Sequence, residues 1–212
     1  MAETIRNEGS AGVALALCEA IHESKDRLSE IDGATGDGDH GVNMNKGFML
    51  AKDRIDADGS LSDALETIGD TLVDDIGGSM GPIYGTFFDT IADDLDGVAE
   101  IGAPEFGEAL ADAAEALMDL AGAKPGDKTL VDTIMPAHDA FNEAEAAGKG
   151  FADCLAAMSE GAERGWKSTE GMQAKLGRAA RLGERSIGHL DDGATSCYVI
   201  LSTLAKEISA RL

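Results

Sequence analysis

Residues 60–76 read SLSDALETIGDTLVDDI, and the spacing of the apolar residues in this stretch decides the fold class. These residues follow one another at steps of three and four, which places them on one face of a helix. They are Leu61, Leu65, Ile68, Leu72 and Ile76. Ser60 stands just before them, where its hydroxyl can cap the first turn. The stretch therefore predicts an amphipathic α-helix.

The same spacing recurs along the rest of the chain, and no run alternates between apolar and polar residues as a half-buried strand does. Pro136 falls inside one periodic stretch, where we expect a kink. We predict eight helices, near 10–30, 42–55, 61–76, 82–96, 104–121, 129–146, 151–168 and 194–210. Residues 1–212 are thus predicted to form a single all-α domain.

The connections between the predicted helices alternate in character. The second, fourth and sixth are ordinary turns, whereas the other four are rich in glycine and polar residues. Helices joined by short loops pack antiparallel, so alternate connections lie at the same end of an up-and-down bundle. The four unusual ones contain IDGATGDGDHG at 31–41, IGGSMGP at 76–82, GAKPGDKT at 122–129 and EGMQAKLGRAARLGERSIGHLDDG at 170–193. We therefore predict an eight-helix antiparallel bundle or barrel with a composite site at one end.

The first of these connections holds three aspartates, Asp32, Asp37 and Asp39, interleaved with glycines. Carboxylates this close repel one another unless water or a cation separates them. Hard oxygen donors suit Mg²⁺, which usually lies between one or two carboxylates and substrate phosphates. The overlapping G-x-G-x-x-G at 36–41 follows a helix rather than a strand, so it does not indicate a dinucleotide site. We predict that the three acids are metal ligands, with a solvated acidic loop as the alternative.

A metal on these acids would leave the other glycine-rich connections to bind phosphates through backbone N–H groups and one or two cations. Lys128 and Arg178 are the best candidate cations, and Arg185 and His189 fit the role equally by composition. For His40, which follows the acids directly, a nucleotide contact and a structural hydrogen bond are both open.

Composition excludes several classes of protein. Seventeen basic against forty acidic residues give a formal charge of -23, which repels nucleic acid and anionic lipid alike. No apolar run reaches the roughly 18 residues that a membrane span needs. Cys18, Cys154 and Cys197 are far apart and lack metal-ligand spacing, which favours a reduced, cytoplasmic chain. The acidic excess is consistent with adaptation to high salt or with a basic partner.

Four stretches in this order resemble the DhaL family, the nucleotide-binding subunits of dihydroxyacetone kinases, also known as DAK2 domains. They are IDGATGDGDHGVNMNKGF at 31–48, GGSMGPIYGTFF at 77–88, GDKTLVDTIMPA at 126–137 and GRAARLGERSIGHLDDGATS at 177–196. The resemblance covers nearly the whole chain. It implies an eight-helix antiparallel barrel that binds ADP or ATP through two Mg²⁺ ions at one end.

The resemblance also implies residue roles. By position, the metal ligands are Asp32, Asp37 and Asp39, and no residue is assigned as catalytic. The implied nucleotide contacts are His40, Gly41, Val42, Asn43, Ser79, Met80, Gly122, Leu130, Arg178, Asp191, Asp192 and Gly193. Two positions depart from the family, which often has serine where Met80 stands and Asp-Pro-Gly where this chain has Asp-Asp-Gly at 191–193.

A phosphotransferase reaction follows from the resemblance. A subunit of this family presents the γ-phosphate to dihydroxyacetone bound covalently on a separate DhaK subunit. In the branch that depends on the phosphotransferase system, a phosphohistidine protein of the DhaM type rephosphorylates the bound ADP. The alternatives are a subunit that exchanges free ATP and serves dihydroxyacetone or another small ketose, and a non-catalytic regulatory module that binds ADP and Mg²⁺. The oligomeric state stays open, a homodimer included.

Overall fold

The computed structural model describes residues 3–212, and its main elements are eight α-helices that confirm the predicted all-α class. Within this range, no helix has the length and apolar character needed to cross a membrane. The helices are α1 (Gly12–Thr35), α2 (His40–Lys52), α3 (Leu61–Asp75), α4 (Met80–Leu95), α5 (Ala103–Ala121), α6 (Val131–Ala146), α7 (Phe151–Ser168) and α8 (Asp192–Ser209).

The helices form a closed ring in chain order. Each helix packs against the next one, and α8 returns to α1. Apolar side chains from all eight fill the centre, with an edge-to-face pair between Phe48 and Phe88. A second aromatic group near α5, α6 and α7 joins Phe106, Phe141 and Phe151. The ring confirms the antiparallel eight-helix barrel that the alternating connections predicted.

Two local features differ from the sequence prediction. Helix α1 continues to Thr35, five residues beyond the predicted end at 30, so Asp32 lies on the helix and not in the loop. Two short strands, β1 (Ile5–Arg6) and β2 (Glu100–Ile101), pair antiparallel where no strand was predicted. Runs of two residues are too short to show an alternating pattern, which is why the sequence did not reveal them.

Residues 3–11, which we call the N-terminal arm, lie at the end of the barrel away from the glycine-rich connections. The Asn7 side chain donates to Leu95 O at 2.9 Å and accepts from Ser62 N at 3.1 Å. A carboxylate oxygen of Glu3 accepts from Ala152 N at the start of α7. These bonds join the starts of α3 and α7 to the end of α4.

Glycine-rich connections occupy the other end. They are 36–39 between α1 and α2, 76–79 between α3 and α4, 122–130 between α5 and α6, and the α7–α8 segment, residues 169–191. The α7–α8 segment contains 3₁₀ turns at Thr169–Gly171 and Ala179–Ser186, with an intervening extended stretch. All four connections therefore lie around one rim of the barrel, which we call the cavity end.

Candidate functional site

A cavity of about 450 Å³ opens at the cavity end, and each of the four glycine-rich connections contributes to its wall. Helices α1, α2, α4 and α8 add side chains from their nearest turns. The lining includes Asp32, Thr35, Gly36, Asp39, His40, Asn43, Gly77, Gly78, Ser79, Met80, Ile83, Tyr84, Lys128, Thr129, Leu130, Leu176, Gly177, Arg178, Ala179, Asp191, Asp192 and Gly193. The composite site predicted from the alternation of loops is thus present as a space large enough for a small-molecule ligand.

The three predicted metal ligands converge at one side of this cavity. Asp32 projects from the last turn of α1, and Asp37 and Asp39 come from the connection that follows. Each offers a carboxylate oxygen, and these three oxygens lie within 4.8 Å of one another. Asp32 is buried and accepts a hydrogen bond from His40 N at 3.1 Å, whereas the other two are exposed. One fixed and two accessible carboxylates are a donor set that fits a hard divalent cation.

Arg178 supplies positive charge to the same group of acids. Its guanidinium forms an ion pair with Asp37 and lies 3.6 Å from a carboxylate oxygen of Asp39. About half of each of these side chains is exposed to solvent. A long side chain from the middle of the α7–α8 segment therefore reaches across the cavity to the loop after α1.

A chain of hydrogen bonds runs behind the cavity wall at the start of α2. His40 Nδ1 lies 2.9 Å from a carboxylate oxygen of Asp192, and its Nε2 lies 2.8 Å from Ser196 Oγ. Tyr84 OH completes the chain at 2.6 Å from the same serine oxygen. Nδ1 faces the carboxylate and Nε2 faces the serine hydroxyl, so both ring nitrogens have hydrogen-bond partners. His40 is buried and joins α2 to α8, so it makes structural hydrogen bonds, and its predicted nucleotide contact stays a prediction.

Two adjacent acids at the start of α8 have opposite pKa shifts. Burial, reinforced by the charge of Asp192, raises the pKa of Asp191 to about 7. Burial acts in the same direction on Asp192, but the hydrogen bond and charge of His40 outweigh it and lower the pKa of Asp192. Asp191 also caps α8 by accepting from Ala194 N at 2.7 Å. The negative charge at this helix start is therefore concentrated on Asp192.

Lys128 is not available as a phosphate-binding cation in this structure, contrary to the expectation from the sequence. Its side chain is buried, and its ammonium donates to the carbonyl oxygens of Met172, Ser186 and His189. Burial lowers the pKa of Lys128, against the nearby charges of Asp191 and Glu170. Its partners are all in the α7–α8 segment. Of the two favoured cations, only Arg178 faces the cavity acids.

Most of the residues predicted to bind nucleotide or metal line the cavity. Four do not: Asp37 lies beside it in the ion pair with Arg178, and Gly41, Val42 and Gly122 lie outside. Gly41 faces α1, where an added Cβ would lie 1.9 Å from Lys25 O. Val42 is exposed on α2, and Gly122 ends α5 with a φ of 58°. In this structure Gly41 therefore serves helix packing, Val42 is exposed and Gly122 terminates a helix. The nucleotide contacts of these three residues stay predictions.

Sequence reasoning missed several parts of the wall. Tyr84 and Ile83 belong to the regular apolar pattern of α4, so nothing in their spacing distinguishes them from core residues. Thr35 lies in the first glycine-rich connection, 31–41, where the aspartates and glycines and not the threonine carried the signal. Leu176 and Gly177 lie next to Arg178, and the glycine-rich composition of 170–193 was the available signal.

Comparison with known proteins agrees with this geometry. The chain is 37% identical over 180 residues to the ADP-binding subunit DhaL of the PEP-dependent dihydroxyacetone kinase of Escherichia coli, covering 84% of this chain and 86% of that one. It is 30% identical over 217 residues to the D-erythrulose kinase of Mycolicibacterium smegmatis, covering 97% of this chain but only 37% of the kinase.

The fold is found in a solved structure. The dihydroxyacetone kinase from C. freundii in complex with AMP-PNP and Mg²⁺ superposes with a TM-score of 0.67 at 22% identity, over 97% of this chain and 35% of that one. The DAK2 domain matches residues 34–206. The chain therefore belongs to the DAK2 domain family.

Proposed function

We propose that this protein is the nucleotide-binding subunit of a phosphotransferase-system-dependent dihydroxyacetone kinase. The observation that carries the proposal is the convergence of three carboxylates beside a cavity walled by four glycine-rich connections. The similarity to a DhaL subunit over most of both chains supports the same role. On this proposal the protein is a cytoplasmic enzyme subunit that holds ADP or ATP and transfers the γ-phosphate to dihydroxyacetone.

Asp32, Asp37 and Asp39 are the residues that would hold Mg²⁺, and we propose two ions at this site. When bound, Mg²⁺ neutralises the negative charge of the phosphates, which is the main requirement of phosphoryl transfer. Asp32 is the rigid member because His40 N donates to it. Asp37 and Asp39 are exposed and can adjust to the ligand.

The other residues of the wall bind and orient the nucleotide. Backbone N–H groups at 77–79, just before α4, can donate to phosphate oxygens. Arg178 is the cation nearest to the acids, and it can offset phosphate charge once Mg²⁺ occupies the carboxylates. His40 and Asp192 hold the starts of α2 and α8 together at the cavity. No residue of this chain is assigned as nucleophile or general base, since positioning and charge neutralisation account for the contribution of this subunit.

The substrate must reach the phosphate from another protein, and the cavity end has the character of a docking surface. Four of the five large hydrophobic side chains exposed in residues 3–212 lie at this end, namely Val42, Val73, Leu120 and Ile187. Exposed apolar side chains at one end of a highly charged protein are typical of an interaction surface. We propose that a dihydroxyacetone-bearing DhaK subunit docks there and that a DhaM-type phosphohistidine protein uses the same end to rephosphorylate ADP.

A second candidate is a subunit that exchanges free ATP and serves another small ketose. The similarity to D-erythrulose kinase over 97% of this chain supports this second candidate. The two candidates differ in whether ADP stays bound between turnovers. A regulatory module without catalysis differs from both because it gives no phosphorylated ketose with any partner.

The first test identifies and quantifies the nucleotide that the purified protein retains after extensive desalting. Stoichiometric ADP, lost in Asp37→Asn but kept in the exposed control Asp74→Asn, is the expected result for a cofactor rephosphorylated in place. Protein without nucleotide that binds added ATP reversibly with Mg²⁺ supports the exchanging kinase. Absence of binding to ADP and ATP, with Mg²⁺ present, contradicts both.

Reconstitution with DhaK and DhaM proteins then tests the reaction. Phosphorylated dihydroxyacetone formed from phosphohistidine DhaM without free ATP is expected. Product formed only with added ATP supports the second candidate, and the absence of product with either donor contradicts catalysis by this subunit.

A further inference from the structure

Lys128 is the only lysine or arginine that is buried among residues 3–212, with 1% of its surface exposed. Its ammonium lies 3.1 Å from Met172 O, 2.5 Å from Ser186 O and 2.6 Å from His189 O. Only the protonated amine has three N–H groups to donate to three carbonyls. The side chain is therefore held as a cation, although no carboxylate in the described part of the chain pairs with it directly.

Lys128 has two features that are unusual for a lysine, a buried ammonium and a left-handed backbone. Removing an ammonium from water is unfavourable unless its hydrogen bonds are replaced, which here the three carbonyls do. Its backbone φ is +62°, a left-handed conformation that non-glycine residues rarely adopt. The turn is stabilised by Asp132, whose carboxylate accepts from Gly126 N and Thr129 N. A buried charge and a left-handed backbone at one residue indicate a specific role.

The three carbonyls show what that role is. Met172 precedes Arg178 in the α7–α8 segment, and Ser186 and His189 follow it, so one ammonium joins both arms of the loop that carries the arginine. The neighbouring Asp127 adds to this attachment, since its carbonyl accepts from Lys175 N and its carboxylate pairs with the Lys175 ammonium.

We infer that Lys128 is a positioning residue, which fixes residues 172–189 as a wall of the cavity and so places Arg178 beside Asp37 and Asp39. This inference rests on the proposed nucleotide site for its functional consequence. The attachment itself is a property of the protein without ligand. The two can therefore be tested separately.

The first experiment is hydrogen exchange of the nucleotide-free protein. Lys128→Met removes the donors while keeping a long apolar side chain, and Lys124→Met is the matched control because Lys124 is exposed on the same loop. We expect amides in 172–189 to exchange about tenfold faster or more in Lys128→Met, with the control unchanged. Unchanged exchange in a folded Lys128→Met protein would overturn the inference. Thermal unfolding followed by the fluorescence of Trp166 checks the fold.

The second experiment measures Mg·ADP affinity in a double-mutant cycle with Arg178→Ala. We expect Lys128→Met to weaken binding about tenfold in the natural chain and to have much less effect once Arg178 is absent, because it acts through that arginine. Independent effects that multiply, with unchanged exchange in 172–189, would instead identify Lys128 as a direct phosphate ligand and overturn the inference.

Ser186→Ala is a second variant that tests the inference if Lys128→Met does not fold. Ser186 Oγ accepts from Ala174 N at 2.9 Å and donates to Gly183 O at 2.6 Å, so Ser186→Ala loosens the same loop without altering Lys128. We expect faster exchange in 172–189 and weaker Mg·ADP binding that again depends on Arg178. Faster exchange with unchanged affinity would refute the positioning role. If the natural chain binds no nucleotide, the proposed function fails while the exchange experiment still decides whether Lys128 holds the loop.

Discussion

Replacing Asp89 with asparagine should stabilise the protein in a pH-dependent way. Asp89 lies where α4 crosses α3, and a Cβ on Gly69 would be 1.7 Å from its Oδ1. That oxygen is buried and accepts no hydrogen bond within the described residues. Burial therefore raises the pKa of Asp89 to about 6, and the charges of Asp70, Asp93 and Glu66 add to the shift.

The size of the effect follows from this shift. A rise of the pKa from 3.8 to about 6 corresponds to at most about 3 kcal/mol of unfolding free energy, at about 1.36 kcal/mol per pKa unit. Because the carboxylate is partly in contact with water, we expect about 1–2 kcal/mol. The folded state binds the proton more tightly than the unfolded state. The favourable contribution is therefore complete below pH 3.8 and is lost as the pH rises through about 6.

Urea unfolding followed by the fluorescence of Trp166, the one tryptophan in the chain, measures the effect. We expect Asp89→Asn to be about 1–2 kcal/mol more stable than the natural chain at pH 8, and the difference to approach zero near pH 4. This corresponds to a rise in Tm of about 2–8 °C at pH 8. The exposed Asp74→Asn provides the control for loss of general charge repulsion. A stability difference that is the same at every pH, or no larger than that of the control, would refute the reasoning.

Four further results are expected. Gly41→Ala should destabilise the protein by about 1–3 kcal/mol in urea unfolding, because its Cβ would meet Lys25 O where α1 and α2 pack. Asn7→Ala should cost about 2–4 kcal/mol because several buried hydrogen bonds are lost, but calorimetric titration should find Mg·ADP affinity unchanged at the opposite end. Molar KCl should raise the Tm by screening a net charge of -23, and a flat dependence would contradict adaptation to salt. Arg178→Ala should bind Mn²⁺ more tightly without nucleotide, since its ion pair with Asp37 no longer competes, yet bind the metal–nucleotide complex more weakly.

The fold was predictable because its determinants are local. The step of three and four residues in 60–76 predicted α3, and Ser60 does cap it by accepting from Asp63 N at 3.0 Å. The end of α1 was not predictable, because the glycines and aspartates of 31–41 are poor helix formers and indicate a loop. The helix continues to Thr35, and hydrogen bonds from Gly36 N to Asp32 O and from His40 N to the Asp32 carboxylate hold its last turn.

The site was predictable where composition alone is unusual. Three aspartates among glycines marked Asp32, Asp37 and Asp39, and the structure brings their oxygens together. The role of each cation could not be predicted, since lysine and arginine in loops of similar composition differ only in their tertiary partners. Lys128 lies in a turn whose carbonyl partners are 44 to 61 residues away, whereas Arg178 reaches back to the first loop.

The charge balance at the cavity limits which ligands can bind there. Three carboxylates face one guanidinium, and Asp192, whose pKa is lowered, also lines the cavity, so the site without ligand is negative. A nucleotide phosphate tail carries the same sign and is repelled unless positive charge enters with it. One arginine cannot supply enough charge, and Lys128, the only buried lysine among residues 3–212, already donates to backbone carbonyls. On the proposed function, nucleotide affinity at this site is therefore expected to depend on divalent cations far more steeply than in a site built from lysines and arginines.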